Sequence, residues 1–106
     1  MDEILQKANT ATLQKVKTAL RIKHEALDSD ILDNIQACLL DLKLHGIVHK
    51  DHTDELIQNA VKLYCKAEYN DDPDKSDKYR ERYEIMRDCL KQAEGYGWKD
   101  EVVVDE

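Results

Sequence analysis

The sequence has few of the residues that interrupt helices: one proline and three glycines among 106 residues, and no phenylalanine. This scarcity, together with 37% charged residues, favours a helical protein over a turn-rich β fold. No apolar run approaches the ~18 residues that a membrane span needs. A chain of this length forms at most one domain, and its modest core needs no disulfide or metal.

Cysteines are also few, and positive charge is in the minority. The three cysteines, Cys38, Cys65 and Cys89, form no CxxC pair and follow no secretory signal, which predicts a reducing compartment. Asp and Glu outnumber Lys and Arg by 23 to 16, for a formal charge of −7. Because affinity for phosphates needs a positive footprint, this balance argues against a nucleic-acid-binding protein.

Apolar residues recur at helical spacing in four segments. The first predicted helix ends near residue 21 or 22, and residues 1–9 are an extension that either frays or lengthens it. Its apolar positions are Leu13, Val16 and Leu20. The second predicted helix starts after Asp28 or Ser29, either of which can cap its first turn, and it stops at Gly46. Its apolar stripe is Ile31, Leu32, Ile35, Cys38, Leu39 and Leu42.

The third predicted helix starts at Asp51 or Thr53, with Asp54 in its first turn, where an acid complements the helix dipole. Its apolar face is Leu56, Ile57, Ala60, Val61, Leu63, Tyr64 and Ala67. A turn around Pro73 separates it from the fourth helix, which starts after Asp74 or Ser76 and ends at Gly95 and Gly97. The fourth stripe is Tyr79, Tyr83, Met86, Leu90 and Ala93.

These segments predict an all-α fold, with about four helices in a small up-and-down helical bundle. Residues 10–96 form the helical domain, and residues 97–106 form an acidic C-terminal tail.

Three histidines, His45, His49 and His52, lie within eight residues, between Cys38 and Cys65. Structural zinc sites usually combine four Cys or His ligands in paired spacings, and H-x3-H-x2-H lacks that pairing. We therefore predict no metal site here, and we interpret the two cysteines as packing residues. A metal-binding domain remains the less favoured alternative.

The same stretch is explained as the corner between two helices. Gly46 can take the left-handed conformation that ends a helix, and Ile47 after it can cover Leu42, as a Schellman cap requires. No Gly-rich phosphate loop and no GxSxG motif occur, and Ser29 and Ser76 are interpreted as helix caps. The sequence therefore predicts no catalytic residue, no cofactor and no enzyme activity.

Leu40 and Leu44 lie one turn apart and project about 150° or more from the apolar stripe of the second helix. They are candidates for a subunit or partner interface, although isolated exposed apolar residues are also normal. Ile85 and Cys89 flank the stripe of the fourth helix, and a wide core face or scattered exposure explains them more simply.

The segment LQKVKTALRIKHEALDSDILDNIQACL resembles the opening of the tailed-phage head–tail connector (head-completion, adaptor) family. The shared features are an LRI-like phrase at Leu20, Arg21 and Ile22, an acidic loop, and a helix start at Asp30. The later AVKLY helix, the turn rich in Asp and Pro, and the closing helix with an early tyrosine are also similar. The resemblance covers residues 10–96 and includes neither the histidines nor the tail.

This resemblance implies a small, non-enzymatic structural protein. Members of the family assemble into a ring, commonly twelvefold in the virion, that docks under the portal and supports the next connector or tail protein. The implied location is the virion, after assembly in the bacterial host cytoplasm, with DNA passing through the ring without specific binding and with no membrane partner. An acidic surface suits that passage because it does not grip a polyanion. The alternative is a small acidic helical regulator that binds a single protein partner.

Overall fold

In a computed structural model, the described residues are 2–47, 50, 52–93 and 95–96, with residues 2–10 described by their backbone alone. The helices are α1 (Asp2–Leu20), α2 (Asp28–Leu44), α3 (Glu55–Glu68) and α4 (Pro73–Gln92). Helix α3 is central and packs against the other three, while α1 also contacts α2. The predicted all-α fold of four helices is confirmed. Helix α1 includes residues 2–9, whereas the predicted tail lies outside the described residues.

The core forms where the apolar stripes of the helices meet around α3. The buried residues of the predicted α2 stripe are Ile31, Ile35, Cys38 and Leu42. Helix α3 contributes Ile57, Ala60, Val61 and Cys65, and helix α4 contributes Tyr83 and Leu90. Leu56 was predicted to face the core, but it is 42% exposed. The thiols of Cys38 and Cys65 are buried as predicted, and desolvation raises the pKa of both, that of Cys65 to about 12.

Two helices end in the same hydrogen-bonded cap. After α2, Gly46 has a φ of 92°, and the Ile47 amide donates to the Leu42 carbonyl at 3.0 Å. After α1, Arg21 has a φ of 62°, and the Ile22 amide donates to the Lys17 carbonyl at 2.9 Å. Both ends are Schellman motifs. The predicted stop at Gly46, with Ile47 buried beside Leu42, is confirmed.

The start of α2 differs from the prediction. Neither Asp28 nor Ser29 caps it; the residue before the helix is Leu27, which makes no side-chain capping bond. The Asp28 carboxylate is used elsewhere, because the Lys17 ammonium lies 2.7 Å from its Oδ1 atom. Lys17 is 5% exposed, so this ion pair matches a buried charge and joins the end of α1 to the start of α2.

The starts of α3 and α4 are also corrected. Asp54 is the cap of α3, accepting from the amides of Leu56 and Ile57, so the helix begins later than predicted. Asp72 caps α4, and Pro73 is its first residue, a position that requires no amide hydrogen. Ser76 is not a cap; its hydroxyl donates to the Ala67 carbonyl at 2.6 Å and ties α4 to the end of α3.

Gly46 and Arg21 occupy the same position in the two left-handed caps, and substituting them is expected to change the free energy of unfolding in different ways. Gly46→Ala should lower the free energy of unfolding by about 1 kcal/mol, because a Cβ atom is strained at positive φ. Arg21→Gly removes that strain, partly offset by a more flexible unfolded chain, so it should be neutral or slightly stabilising. Urea unfolding of both variants checks this, and an unchanged midpoint for Gly46→Ala would contradict it.

The Lys17–Asp28 ion pair predicts that substitutions at its two residues lower the stability by different amounts. Asp28→Asn should cost roughly 2 kcal/mol of stability, because it leaves a buried ammonium without its counter-charge. Lys17→Met should cost less than about 1 kcal/mol, because it places an apolar chain of similar length in the same site. Equal losses in thermal or urea unfolding would show that shape, and not charge, matters at this contact.

Candidate interaction site

An open groove of about 370 Å³ lies between α2 and α4, with α3 as its floor. Leu40 and Leu44 line it on α2, and they are 56% and 73% exposed. Tyr64 and Ala67 of α3 form the floor, and the α4 side is formed by Arg80, Tyr83, Glu84 and Arg87. The structure therefore places the two predicted leucines together at the edge of one groove, facing outward. Their use as an interface stays a prediction.

Asp41, the residue after Leu40 on α2, connects the two sides of the groove through its carboxylate. The Tyr83 hydroxyl donates to Asp41 Oδ2 at 2.6 Å, and Arg87 Nη1 donates to the same oxygen at 3.2 Å. His45 Nδ1 lies 2.8 Å from the Asp41 carbonyl oxygen and 3.5 Å from its Oδ1 atom. One carboxylate thus joins α2 to two positions one turn apart on α4. Sequence analysis did not find this cluster, because the periodicity of one helix carries no signal of its partner on another.

Aromatic contacts support the same wall. The Tyr64 and Tyr83 rings meet edge to face, with centroids 5.3 Å apart, a favoured geometry for aromatic pairs. The Arg87 guanidinium lies 5.7 Å from the centroid of the Tyr83 ring. Desolvation by burial, followed by the neighbouring Cys38 and Asp41, raises the pKa of Tyr83 above its ordinary value. The phenol therefore stays protonated and keeps donating to Asp41.

The predicted histidine group divides between two parts of the molecule. His45 contacts Asp41 at the end of α2, whereas His52 is buried, with its Nδ1 atom 3.2 Å from the Thr12 hydroxyl of α1. Gln58 donates to the His52 carbonyl at 3.0 Å, which holds the loop before α3 in place. His49 lies outside the described residues. Sequence analysis placed His52 in the corner between two helices, just before the cap of the next helix, and missed its contact with α1.

Neither a metal-binding group nor a membrane-spanning helix occurs among the described residues. Within residues 2–47, 50, 52–93 and 95–96, no group of three or more His, Cys, Asp or Glu side chains is arranged to hold a metal ion. In the same part of the chain, no helix combines the length and hydropathy of a membrane span. The groove between α2 and α4 presents a surface with an apolar edge and a charged wall.

The hydrogen bond from Tyr83 to Asp41 predicts that the difference in stability between the wild type and Tyr83→Phe depends on pH. Tyr83→Phe should cost about 1 kcal/mol at neutral pH, because it removes one hydrogen bond to a charged group. The raised pKa means that the folded state holds this proton more tightly than the unfolded state. Stability from Tyr83 is thus complete below pH about 10 and is lost as the pH rises further.

The gap in unfolding free energy between the wild type and Tyr83→Phe should therefore narrow above pH 10. Urea unfolding at several pH values measures it. Tyr79→Phe, in the same helix, is the control, because the Tyr79 ring faces the Lys66 ammonium, while the Asp41 carboxylate accepts from Tyr83 and Arg87. A gap that stays constant with pH would contradict the assignment.

Comparison with known proteins gives one positive result. No curated protein and no solved structure matches the chain. A family model described as phage connector protein matches residues 12–97. This range covers α1 from residue 12 to its end and all of α2, α3 and α4. The match agrees with the resemblance to head–tail connectors found in the sequence, and the chain belongs to the phage connector protein family.

Proposed function

We propose that this protein is a structural subunit of a phage head–tail connector, which forms a ring, docks on the portal and links the DNA-filled head to the tail. The observation that carries the proposal is the match to the phage connector family over residues 12–97. A family of this kind is structural and not enzymatic. Its other partners would be the next connector or tail protein, and its location the virion, after assembly in the host cytoplasm.

The contact between subunits is proposed at the leucine edge of the groove. Leu40 and Leu44 lie on one face of α2, and burying each fully is worth about 1.5–3 kcal/mol. Charged residues of α4, Arg80 and Glu84, border this apolar edge. An apolar centre with a polar rim is the usual anatomy of a protein interface. In a ring, this surface would meet a different surface of the next subunit, because closed rings use head-to-tail contacts.

The charge of the chain supports the proposed path of DNA. A formal charge of −7 gives each subunit an excess of acidic groups, and a ring multiplies that excess. DNA is then repelled and not held by the ring, which suits a channel through which it has to move.

The interface predicts a loss of assembly without a loss of folding. Leu40→Asp with Leu44→Asp places two charges where an apolar contact is proposed, so self-assembly and binding to the portal should be abolished. Because both side chains are exposed, the urea midpoint should change little. Light scattering and a portal pull-down measure assembly, and circular dichroism measures folding.

The matched control is Ile85→Asp. Ile85 is 59% exposed on α4, but it lies about 200° around that helix from Tyr83 and outside the groove. It should assemble like the wild type. Unfolding of the double variant would assign the leucines to the core. A wild type that stays monomeric with portal present, or that forms a one-to-one complex with a host protein, would overturn the connector role.

A further inference from the structure

We propose that helix α1 exchanges between two copies of this chain, so that α1 of each copy packs on α2 and α3 of the other. The partner is a second copy, and the interface is the surface of α2 and α3 that α1 covers within one chain, here called the α1 site. This inference does not depend on the ring or on the leucine edge, because no residue of α1 lines the groove.

The connection between α1 and α2, residues 21–27, can open with less loss than the other two connections. Five of its seven side chains are exposed, two are half-buried and none is buried. The connection between α2 and α3, in contrast, contains the buried Ile47 and His52. In the connection between α3 and α4, Tyr69 is hydrogen-bonded to α2. Residues 21–27 are therefore the natural hinge of the molecule.

Arg21, the first residue of this hinge, is strained. Its φ of 62° is the one positive value among the described non-glycine residues, and a Cβ atom is disfavoured there. An extended hinge returns Arg21 to an ordinary φ and releases the strain. Opening also breaks the bond from the Ile22 amide to the Lys17 carbonyl, which water replaces because the hinge is exposed. Short connections under strain favour the exchange of the element that they carry.

Polar contacts at the α1 site select an identical helix. The pairs are the Thr12 hydroxyl with His52 Nδ1 at 3.2 Å, Lys15 Nζ with Gln58 Oε1 at 3.1 Å, and Lys17 Nζ with Asp28 Oδ1 at 2.7 Å. Buried polar groups that lose their partners are costly. A helix that replaces α1 therefore has to bring one hydroxyl and two ammonium groups at the same spacings. Another copy of α1 brings all three, together with the buried Leu13 and Val16.

Concentration and hinge strain decide between the closed and the exchanged form, because both forms make the same contacts at the α1 site. A short linker holds α1 at its own site at an effective concentration in the millimolar range. Strain released at two hinges, worth about fivefold each, lowers the concentration at which a second copy competes to about tens of micromolar. The hinge extends to about 23 Å, which spans two packed helices. A dilute chain thus stays closed, and a concentrated one exchanges α1.

Cross-linking between two kinds of chain tests the exchange. Thr18 of α1 and Lys62 of α3 line one surface pocket of about 320 Å³, so a short bismaleimide can bridge cysteines at these positions. One chain carries Thr18→Cys and the other Lys62→Cys, both with Cys89→Ser, while Cys38 and Cys65 are buried. The chains are mixed at about 1 mM, within the range of the effective concentration, and are then diluted and bridged at once. We expect a cross-linked dimer with one chain of each kind, identified by its mass.

Two controls make the result decisive. A single chain with both Thr18→Cys and Lys62→Cys should be bridged within itself in dilute solution. Absence of that bridge would overturn the proposal, because α1 would not occupy the α1 site. A mixture of Thr18→Cys and Ile85→Cys chains gives the background, since Ile85 lies on α4, outside the α1 site. The test mixture should exceed this background about tenfold, and an equal yield of mixed dimer would also overturn the proposal.

The hinge is tested with a matched pair of glycine substitutions in both chains. Arg21→Gly removes the strain of the closed form, so the concentration that gives half of the mixed dimer should rise about 25-fold. Lys23→Gly adds the same backbone freedom to the hinge but removes no positive φ, so it should leave that concentration unchanged. Equal shifts for the two variants would overturn the strained hinge. Because no portal is present, these outcomes are separate from any failure of the ring.

Discussion

The carboxylate of Asp41 is the contact on which the proposed site depends. Helices α2 and α4 both pack on α3, but their backbones stay apart, and a groove remains between them. Tyr83 and Arg87 cross that gap to one oxygen of Asp41. The network is charge-assisted and partly sheltered from water, so each bond is stronger than an exposed one. It joins α4 to the turn of α2 that carries Leu40 and Leu44 and so links the two sides of the groove.

Local features of the fold follow from the sequence, and features that depend on distant partners do not. The four helices, the stop at Gly46 and the exposure of Leu40 and Leu44 are properties of periodicity and of single turns. Helix starts were harder to predict, because several acids precede each one. Tertiary contacts decide which of these acids caps the helix. Asp28 forms an ion pair with Lys17, whereas Asp54 caps α3 and also accepts a hydrogen bond from Tyr96.

The candidate site shows the same division. Periodicity along α2 identifies its exposed leucines, but nothing in that helix indicates that Asp41 will meet residues 42 and 46 positions later in the chain. The LRI phrase that supports the family resemblance has a physical explanation: Arg21 takes the left-handed turn, and Ile22 closes the cap. A part of the family pattern is thus the signal that ends the first helix and sets the path to the second.

The burial of Cys38 and Cys65 gives the protein a chemical contrast among its thiols. Thiolates, and not thiols, react with alkylating reagents, and the raised pKa of both buried residues keeps them protonated at neutral pH. Cys89 is exposed. A maleimide dye therefore marks α4 at one position in the folded chain and reaches the other two only when the core opens. Because the core excludes water and reagents from Cys38 and Cys65, labelling of these two thiols reports unfolding.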